Sequence, residues 1–190
     1  IDNDCDGNIL ESFPDFDSDG DPDCIDPPPT GSIFITEVLQ NPDSVGDLLG
    51  EWFEIHNSGL LDVDLIDWTI TDFGTDYDVI IGSLVIPAGG YLVLGNNYDP
   101  SSNGGTAIDY ALSSTTLGNA SDELILTNSA GQVMDSLIWD NGNTFPDPSG
   151  AAMALSPDFT DASSNDLGSN WCASTAIFGA GDLGTPGAAN

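Results

Sequence analysis

The sequence predicts an all-β domain, a sandwich or barrel, preceded by an irregular Asp-rich segment. Three observations lead there. After residue 31, short runs rich in Ile, Val, Leu, Thr, Trp and Phe recur between clusters of Gly, Asn, Asp, Pro and Ser. Before residue 27 the chain is mostly Asp and small polar residues, and the change falls abruptly at Pro27-Pro28-Pro29-Thr30-Gly31. Hydrophobic residues make up 39% of the 190 positions and aromatics 8%. A chain of this length buries roughly 70% of its unfolded surface, so the apolar share suffices for one core plus a small appendage.

In chain order the organisation reads as a metal-loop segment over 1–26, a proline linker over 27–31 and one β domain over 32–190. Three consecutive prolines favour a semi-rigid, extended spacer. Strands are expected near Ser32 to Leu39, Glu51 to Asn57, Val63 to Asp72, Val79 to Ile86, Gly90 to Leu94, Ala107 to Leu112, Glu123 to Thr127, Val133 to Asp140 and Ala152 to Ser156. No segment carries a helical pattern. In the third run Ile66, Trp68 and Ile70 share one face and Asp67, Thr69 and Thr71 the other, the alternation of a half-buried strand. Phe53 and Ile55 point inward on the same logic. Pro87-Ala88-Gly89-Gly90 and Ser129-Ala130-Gly131 supply turn residues for hairpin connections. The last twenty or so residues, rich in Gly, Ala and Pro, are expected to wrap the domain as an irregular tail.

Charge narrows the function. The formal net charge is −32, with no Lys or Arg to pair 27 Asp and five Glu. Two carboxylates about 4 Å apart repel by ~1 kcal/mol in water and ~4 kcal/mol at an effective dielectric of 20, so clusters call for a metal. A surface of this sign excludes nucleic acid and anionic membranes as partners. The excess of Asp over Glu favours short carboxylates in tight loops that wrap a hard cation. No apolar run of about 18 residues exists, and no basic segment followed by an apolar run opens the chain, which reads as a mature, processed protein without membrane insertion.

The strongest motif is DFDSDGDPDCID at residues 15–26. It sets Asp15, Asp17, Asp19, Asp23 and Asp26 at the spacing DxDxDGxxDxxD, with Gly20 at the sharp turn and the Asp21 backbone carbonyl available at position seven. Alternate carboxylates of this kind converge on one Ca2+. Upstream, DNDCDG repeats the opening with Asp2, Asp4, Asp6 and Gly7, and a second ion there would be completed by Asp15, Asp17 or Glu11. An EF-hand is excluded, because the flanks are Phe13-Pro14 and the proline run rather than helices. Cys5 and Cys24 flank the ladder and could close a loop of about 20 residues, a cross-link typically worth ~3 kcal/mol, which fits an oxidising, extracellular setting. Cys172 is left over, either buried as a small hydrophobe, the preferred reading, or paired with another chain. For Asp43, Asp47 and Glu51, and for Asp158, Asp161 and Asp166, spacing alone does not decide between metal ligands and solvated loop carboxylates, the latter preferred.

These residues carry two resemblances. Residues 2–26 resemble thrombospondin type 3 repeats, tandem calcium loops wrapped by Asp side chains, covering one full repeat and part of another. That resemblance implies calcium on the Asp residues named, a disulfide bracing the array and no catalysis. From Ser32 onward the chain is similar to the lamin tail domain in its bacterial secreted form, through IFITEVLQNP, EWFEIHNSG, DVDLIDWTITD, IPAGGYLVL, LGNASDELILTNSAGQVMDSLIW and GTPGAAN. It implies an immunoglobulin-like β-sandwich in which Glu54 and Trp68 belong to the framework.

Enzymatic activity is not expected. His56 is the one histidine, no cationic side chain accompanies it, and neither GxSxG nor HExxH occurs. A carboxylate pair for glycoside hydrolysis is set aside because turn chemistry accounts for most of the acids. Two classes of function stand. In the first, a secreted, extracellular or cell-surface structural protein forms homo-oligomers or a homopolymer, with calcium stabilising a fibre or matrix. In the second, the sandwich is a calcium-braced adhesion module that recognises a glycan or a cell-surface partner.

Overall fold

The computed structural model describes residues 28 and 30–190. The proposed metal-loop segment and most of the proline linker lie outside that range. Twelve strands are present among the described residues: β1 Ile33–Leu39, β2 Trp52–Asn57, β3 Val63–Asp64, β4 Thr69–Thr71, β5 Tyr77–Val79, β6 Val85–Ile86, β7 Tyr91–Gly95, β8 Tyr110–Ala111, β9 Ser121–Thr127, β10 Val133–Asp140, β11 Met153–Leu155 and β12 Trp171–Ala173. Two one-turn helices, α1 (Asp47–Gly50) and α2 (Ala162–Asn165), and a 3-10 turn at Gly168–Asn170 complete the elements.

The strands form a six-stranded sheet in the order β12-β11-β1-β2-β7-β8, a four-stranded sheet in the order β10-β9-β4-β5 and a small β3-β6 ladder. All pairings are antiparallel except β7 with β8. One core fills the space between the large sheets: Ile33, Ile35, Val38, Phe53 and Ile55 from one side meet Ile70, Leu124, Leu126, Leu137 and Trp139 from the other. Burial of one such aliphatic or aromatic side chain is worth about 1.5–3 kcal/mol, so this layer is the main source of stability. The all-β sandwich expected from the sequence is therefore present, as are the inward Phe53 and Ile55.

Two expected strands are broken. Within Val63 to Asp72, Asp67 takes φ 62°, and the Trp68 amide donates to the Leu65 carbonyl, closing a turn between β3 and β4. The turn shifts the alternation, so Leu65 is buried in place of Ile66, which is 43% exposed, while Trp68 and Ile70 remain inside. Within Val79 to Ile86, Gly82 at φ 85° separates β5 from β6. The expected turns hold: Gly90 donates to the Pro87 carbonyl, and Gly131 donates to the Asn128 carbonyl in the β9–β10 hairpin.

A bulge in β1 shapes the outer face of the six-stranded sheet. Register runs Ile35 with Ile55 and then Glu37 with Glu54, leaving Thr36 as the extra residue. Beyond the bulge Leu39 stands beside Trp52, and these pack with Val93 and Ala152 in a second, smaller apolar cluster. The C-terminal tail covers it. Phe178 packs edge-on against the Trp52 indole, and Leu183 bridges Ala151 and Ile177. This is the irregular wrapping tail expected from the sequence, with β12 as an unforeseen strand before it.

Cys172 lies on β12 and is exposed, which corrects the expectation of burial. Its strand pairs only with β11, at the margin of the sheet, so the alternation that buries Trp171 turns Cys172 outward. Among the described residues no helix is long and apolar enough to cross a membrane.

Candidate functional site

With no Lys or Arg available, every carboxylate here is held by amides, hydroxyls, water-facing exposure or a proton. Nine of the described acids fall into three arrangements.

The first is a carboxylate triad at one end of the four-stranded sheet. Asp72 follows β4, and Asp122 and Glu123 lie in β9; one oxygen from each falls within 4.8 Å of the others, and all three side chains are half-buried. Local bonds fix each one. Glu123 Oε1 accepts the Phe73 amide at 2.6 Å, Asp72 Oδ1 accepts the Asp76 amide at 2.8 Å, and Asp122 Oδ2 accepts the Gly118 amide at 2.5 Å. Gly74 leaves room for this, since a Cβ there would lie 2.6 Å from Asp72 Oδ2. Three carboxylates supply hard oxygen donors of the kind Ca2+ takes, but only part of the roughly six to eight oxygens that complete its shell. The sequence gives no sign of this triad, because Asp72 lies about fifty positions before the adjacent Asp122 and Glu123 and no local motif joins them.

The second arrangement is a nest. Asp78 is buried, and its carboxylate accepts the amides of Ser113, Ser114 and Thr115 and the hydroxyls of Ser113 and Thr115. Neighbouring Asp76 accepts the amide and hydroxyl of Thr116. Although burial opposes ionisation, the hydroxyls and amides of Ser113 to Thr115 outweigh it and hold the Asp78 carboxyl far below the usual range. The nest also ties the Ser113–Thr116 loop to β5, where the Ser114 hydroxyl donates to the Tyr77 carbonyl and the Tyr110 hydroxyl to that of Val79. Those bonds blunt the free edge of the sheet.

The third comprises buried carboxylates with fewer donors. Glu54 is pushed up to about 8 by burial, aided by the adjacent Glu37 charge. Burial likewise raises Glu37. Glu51 rises to about 7 through burial and the charges of Asp47 and Asp122. Asp135 rises to about 6; its Oδ2 accepts the Ile35 amide and the Asn165 side-chain amide, joining β10 to β1 where the two sheets meet.

The ligands expected from sequence, Asp2, Asp4, Asp6, Asp15, Asp17, Asp19, Asp21, Asp23 and Asp26, lie outside the described residues, as does the Cys5–Cys24 pair. Of the two other acidic groups, Asp43 accepts the Ser149 hydroxyl, Asp47 accepts the Asn119 amide, and Glu51 turns inward to the Leu117 amide. Asp161 caps α2, accepting from Ser163 and Ser164. Turn and cap chemistry accounts for these bonds. His56 is half-buried, stacked on Tyr91 at 4.3 Å between ring centroids and hydrogen-bonded through Nδ1 to the Gly90 carbonyl. Burial lowers its pKa, so it stays neutral at physiological pH. Glu54 and Trp68 are both fully enclosed framework positions.

A search of curated proteins finds no match. The family model described as Lamin Tail Domain matches residues 26–141, from the last Asp of the ladder through the end of β10, leaving β11, β12 and the wrapping tail beyond the match. A nearly all-β sandwich with Glu54 and Trp68 in its framework, together with a family match over more than half of the sequence, establishes that this chain belongs to the lamin tail domain family.

Proposed function

We propose that the protein is an extracellular calcium-binding structural module, in which thrombospondin type 3-like loops at the N-terminus join lamin tail sandwiches into a calcium-stabilised fibre or matrix. The observation that carries the reading is DFDSDGDPDCID, a complete ladder of alternate carboxylates in a chain with no cation of its own. Asp15, Asp17, Asp19, Asp23 and Asp26, with the Asp21 carbonyl, hold one ion; Asp2, Asp4 and Asp6 open the second. The Cys5–Cys24 disulfide braces the array. The Asp72, Asp122 and Glu123 triad offers a further oxygen-rich position on the sandwich itself. Calcium then acts as the missing counter-ion, removing repulsion within each copy and between neighbouring copies. Head-to-tail contacts without closure extend such copies into a filament.

The test is removal of the metal. Excess chelator is expected to lower the melting temperature by several degrees, since a ligand at a hundredfold excess over its Kd contributes about 2.7 kcal/mol. Assemblies seen by light scattering or negative-stain microscopy disperse in the same solution. Unchanged melting together with unchanged particle size would overturn the proposal.

A second reading, a calcium-braced glycan or cell-surface recognition module, is favoured by one feature. Phe73 and Tyr77 are 72% and 60% exposed, and Phe73 follows directly on Asp72 of the triad. Exposed rings beside oxygen donors suit a sugar bound partly through a metal. Monomers in calcium that are retained on a glycan array would decide for it.

A further inference from the structure

The outer face of the six-stranded sheet carries two glutamates in a place where charge is hardest to keep. The β1 bulge brings Glu37 directly opposite Glu54, and neither has any exposed surface. Opposed residues on neighbouring strands hold their Cβ atoms about 5 Å apart, close enough for like charges to repel strongly in a dry interior. The chain offers no Lys or Arg to relieve them.

What covers the pair is the end of the wrapping tail, residues 183–190. Thr185 donates its amide to both Glu37 oxygens and its hydroxyl to Oε2, and the Ser174 hydroxyl donates to Oε1. The Gly187 amide donates to Glu54 Oε2 at 2.7 Å. Asn190 closes the strap through its side-chain amide, which donates to the Thr36 and Leu155 carbonyls. Gly184 sits tightly over Trp52, Phe178 and Glu37, where a Cβ would come within 3.1–3.3 Å of each. Residues 183–190 contain no ionisable side chain.

We propose that this strap is a proton-dependent latch: the Glu37–Glu54 pair holds one proton while the strap is closed, and opening the strap releases it. The proton has a definite place. Amide donors commit Glu37 and Glu54 Oε2 to the role of acceptor, whereas Glu54 Oε1 meets the Thr36 hydroxyl at 2.7 Å. A hydroxyl can turn and accept, so Glu54 Oε1 is the oxygen that can carry the hydrogen without losing its bond.

The other titratable groups facing the pair do not supply the effect. On β7, Tyr91 is raised by burial and by the Glu54 charge, which keeps its phenol neutral. On β2, His56 is neutral through burial. On β12, Cys172 lies in register with Ala154, which in turn pairs with Glu37, so a further strand separates it from the carboxylates. Asp182, just before the strap, turns away and accepts the Asp43 and Ser44 amides.

The sign follows from linkage. Glu54 stands at about 8 with the strap closed, against 4.5 for an ordinary glutamate, and opening the strap to water returns it toward the latter. Closure therefore takes up a proton between those values and weakens as pH rises through them, about tenfold per pH unit, with no further change above. Below pH 4.5 the latch is at full strength.

The test is amide hydrogen exchange at Thr185 and Gly187 in the full chain, corrected for the intrinsic exchange rate at each pH. Protection is expected to fall about tenfold per unit between roughly pH 5 and 8. Glu54→Gln, which keeps the shape and presents an amide to the Thr36 hydroxyl, is expected to level that slope while the strap stays closed. Protection that does not vary with pH in the wild type, or a slope that survives in Glu54→Gln, would overturn the proposal. Should the variant fail to fold, the carboxyl carbon of Glu54 is followed by NMR in the wild type. Titration near 8 supports the latch, and titration near 4.5 rejects it.

Discussion

Asp78 and Glu54 are both buried acids in a protein without a cation, yet they are held in opposite states. Asp78 receives five donors from three consecutive residues, and its carboxyl stays ionised far into acid. Glu54 receives the Thr36 hydroxyl and the amides of Gly187 and Ala188, faces another carboxylate, and titrates at about 8. Both are buried, Glu54 the more deeply and beside Glu37; Asp78 has the larger set of donors. A Ser/Thr-rich loop thus does for Asp78 what an Arg would do elsewhere, whereas a bulge and a strap leave Glu54 dependent on a proton.

The sharpest way to break the contrast is to empty the nest. Asp78→Ala leaves three amides of Ser113, Ser114 and Thr115 and the hydroxyls of Ser113 and Thr115 without their acceptor. Hydrogen bonds to a charged group are worth about 1.5–3 kcal/mol each and are not additive here, so a loss of about 3 kcal/mol or more is expected in urea unfolding. The Ser113–Thr116 loop should lose amide protection in the same variant, because Asp78 and Asp76 are its anchors to β5. If stability changes by less than 1 kcal/mol, the nest does not offset burial as argued.

Little of this could be read from the sequence, and the reason is physical. Strands and hairpins were legible because alternation and turn residues are local: the inward Phe53 and Ile55, the Pro87–Gly90 and Ser129–Gly131 turns and the wrapping tail all stand as expected. Local reading fails where one residue changes the period. Asp67 in the left-handed region exchanges Ile66 for Leu65 in the core, and Thr36 in the bulge turns Glu37 onto the face of Glu54. The one-turn helices are too short to show a helical period. The Asp72, Asp122 and Glu123 triad and the Asp78 nest join residues tens of positions apart, so composition announced many acids without telling which would meet. The N-terminal ladder is the reverse case, legible as a motif at Asp15 to Asp26 while lying outside the described residues.

A second, smaller effect is the pH profile of global stability. Asp78 is depressed, so its contribution is present above its unfolded value near 3.8 and is lost only in stronger acid. Glu54 and Asp135 are raised to about 8 and about 6, so the stability they permit is greatest below their unfolded values and declines as pH rises through those windows. Each group costs about 1.4 kcal/mol per pH unit across its window. Opposed in this way, they set a stability maximum near pH 4–5 rather than at neutrality, and calorimetry from pH 3 to 9 in chelator checks it. A maximum above pH 7 would mean that the raised carboxyls are relieved by something other than protons.

The smallest change probes the donor-poor site by making it poorer. Thr36→Val keeps the branched shape at the bulge and removes only the hydroxyl that meets Glu54 Oε1. Thr36 is 5% exposed, so water does not readily replace the bond, and a cost of about 1 kcal/mol is expected at pH 5, where Glu54 is protonated in the fold. At pH 9 the same substitution strips the one hydroxyl donor from an ionised carboxylate, and hydrogen bonds to charge are the stronger kind, so the cost there rises to about 2 kcal/mol. The difference between the two pH values must equal an upward move of the Glu54 titration, since both describe one thermodynamic cycle. A donor-rich site gives the contrasting result: removing the single Ser113 hydroxyl from Asp78 leaves four donors in place, and its carboxyl remains ionised across the same range. Equal sensitivity of the two sites to one lost hydroxyl would show that donor number is not what separates them.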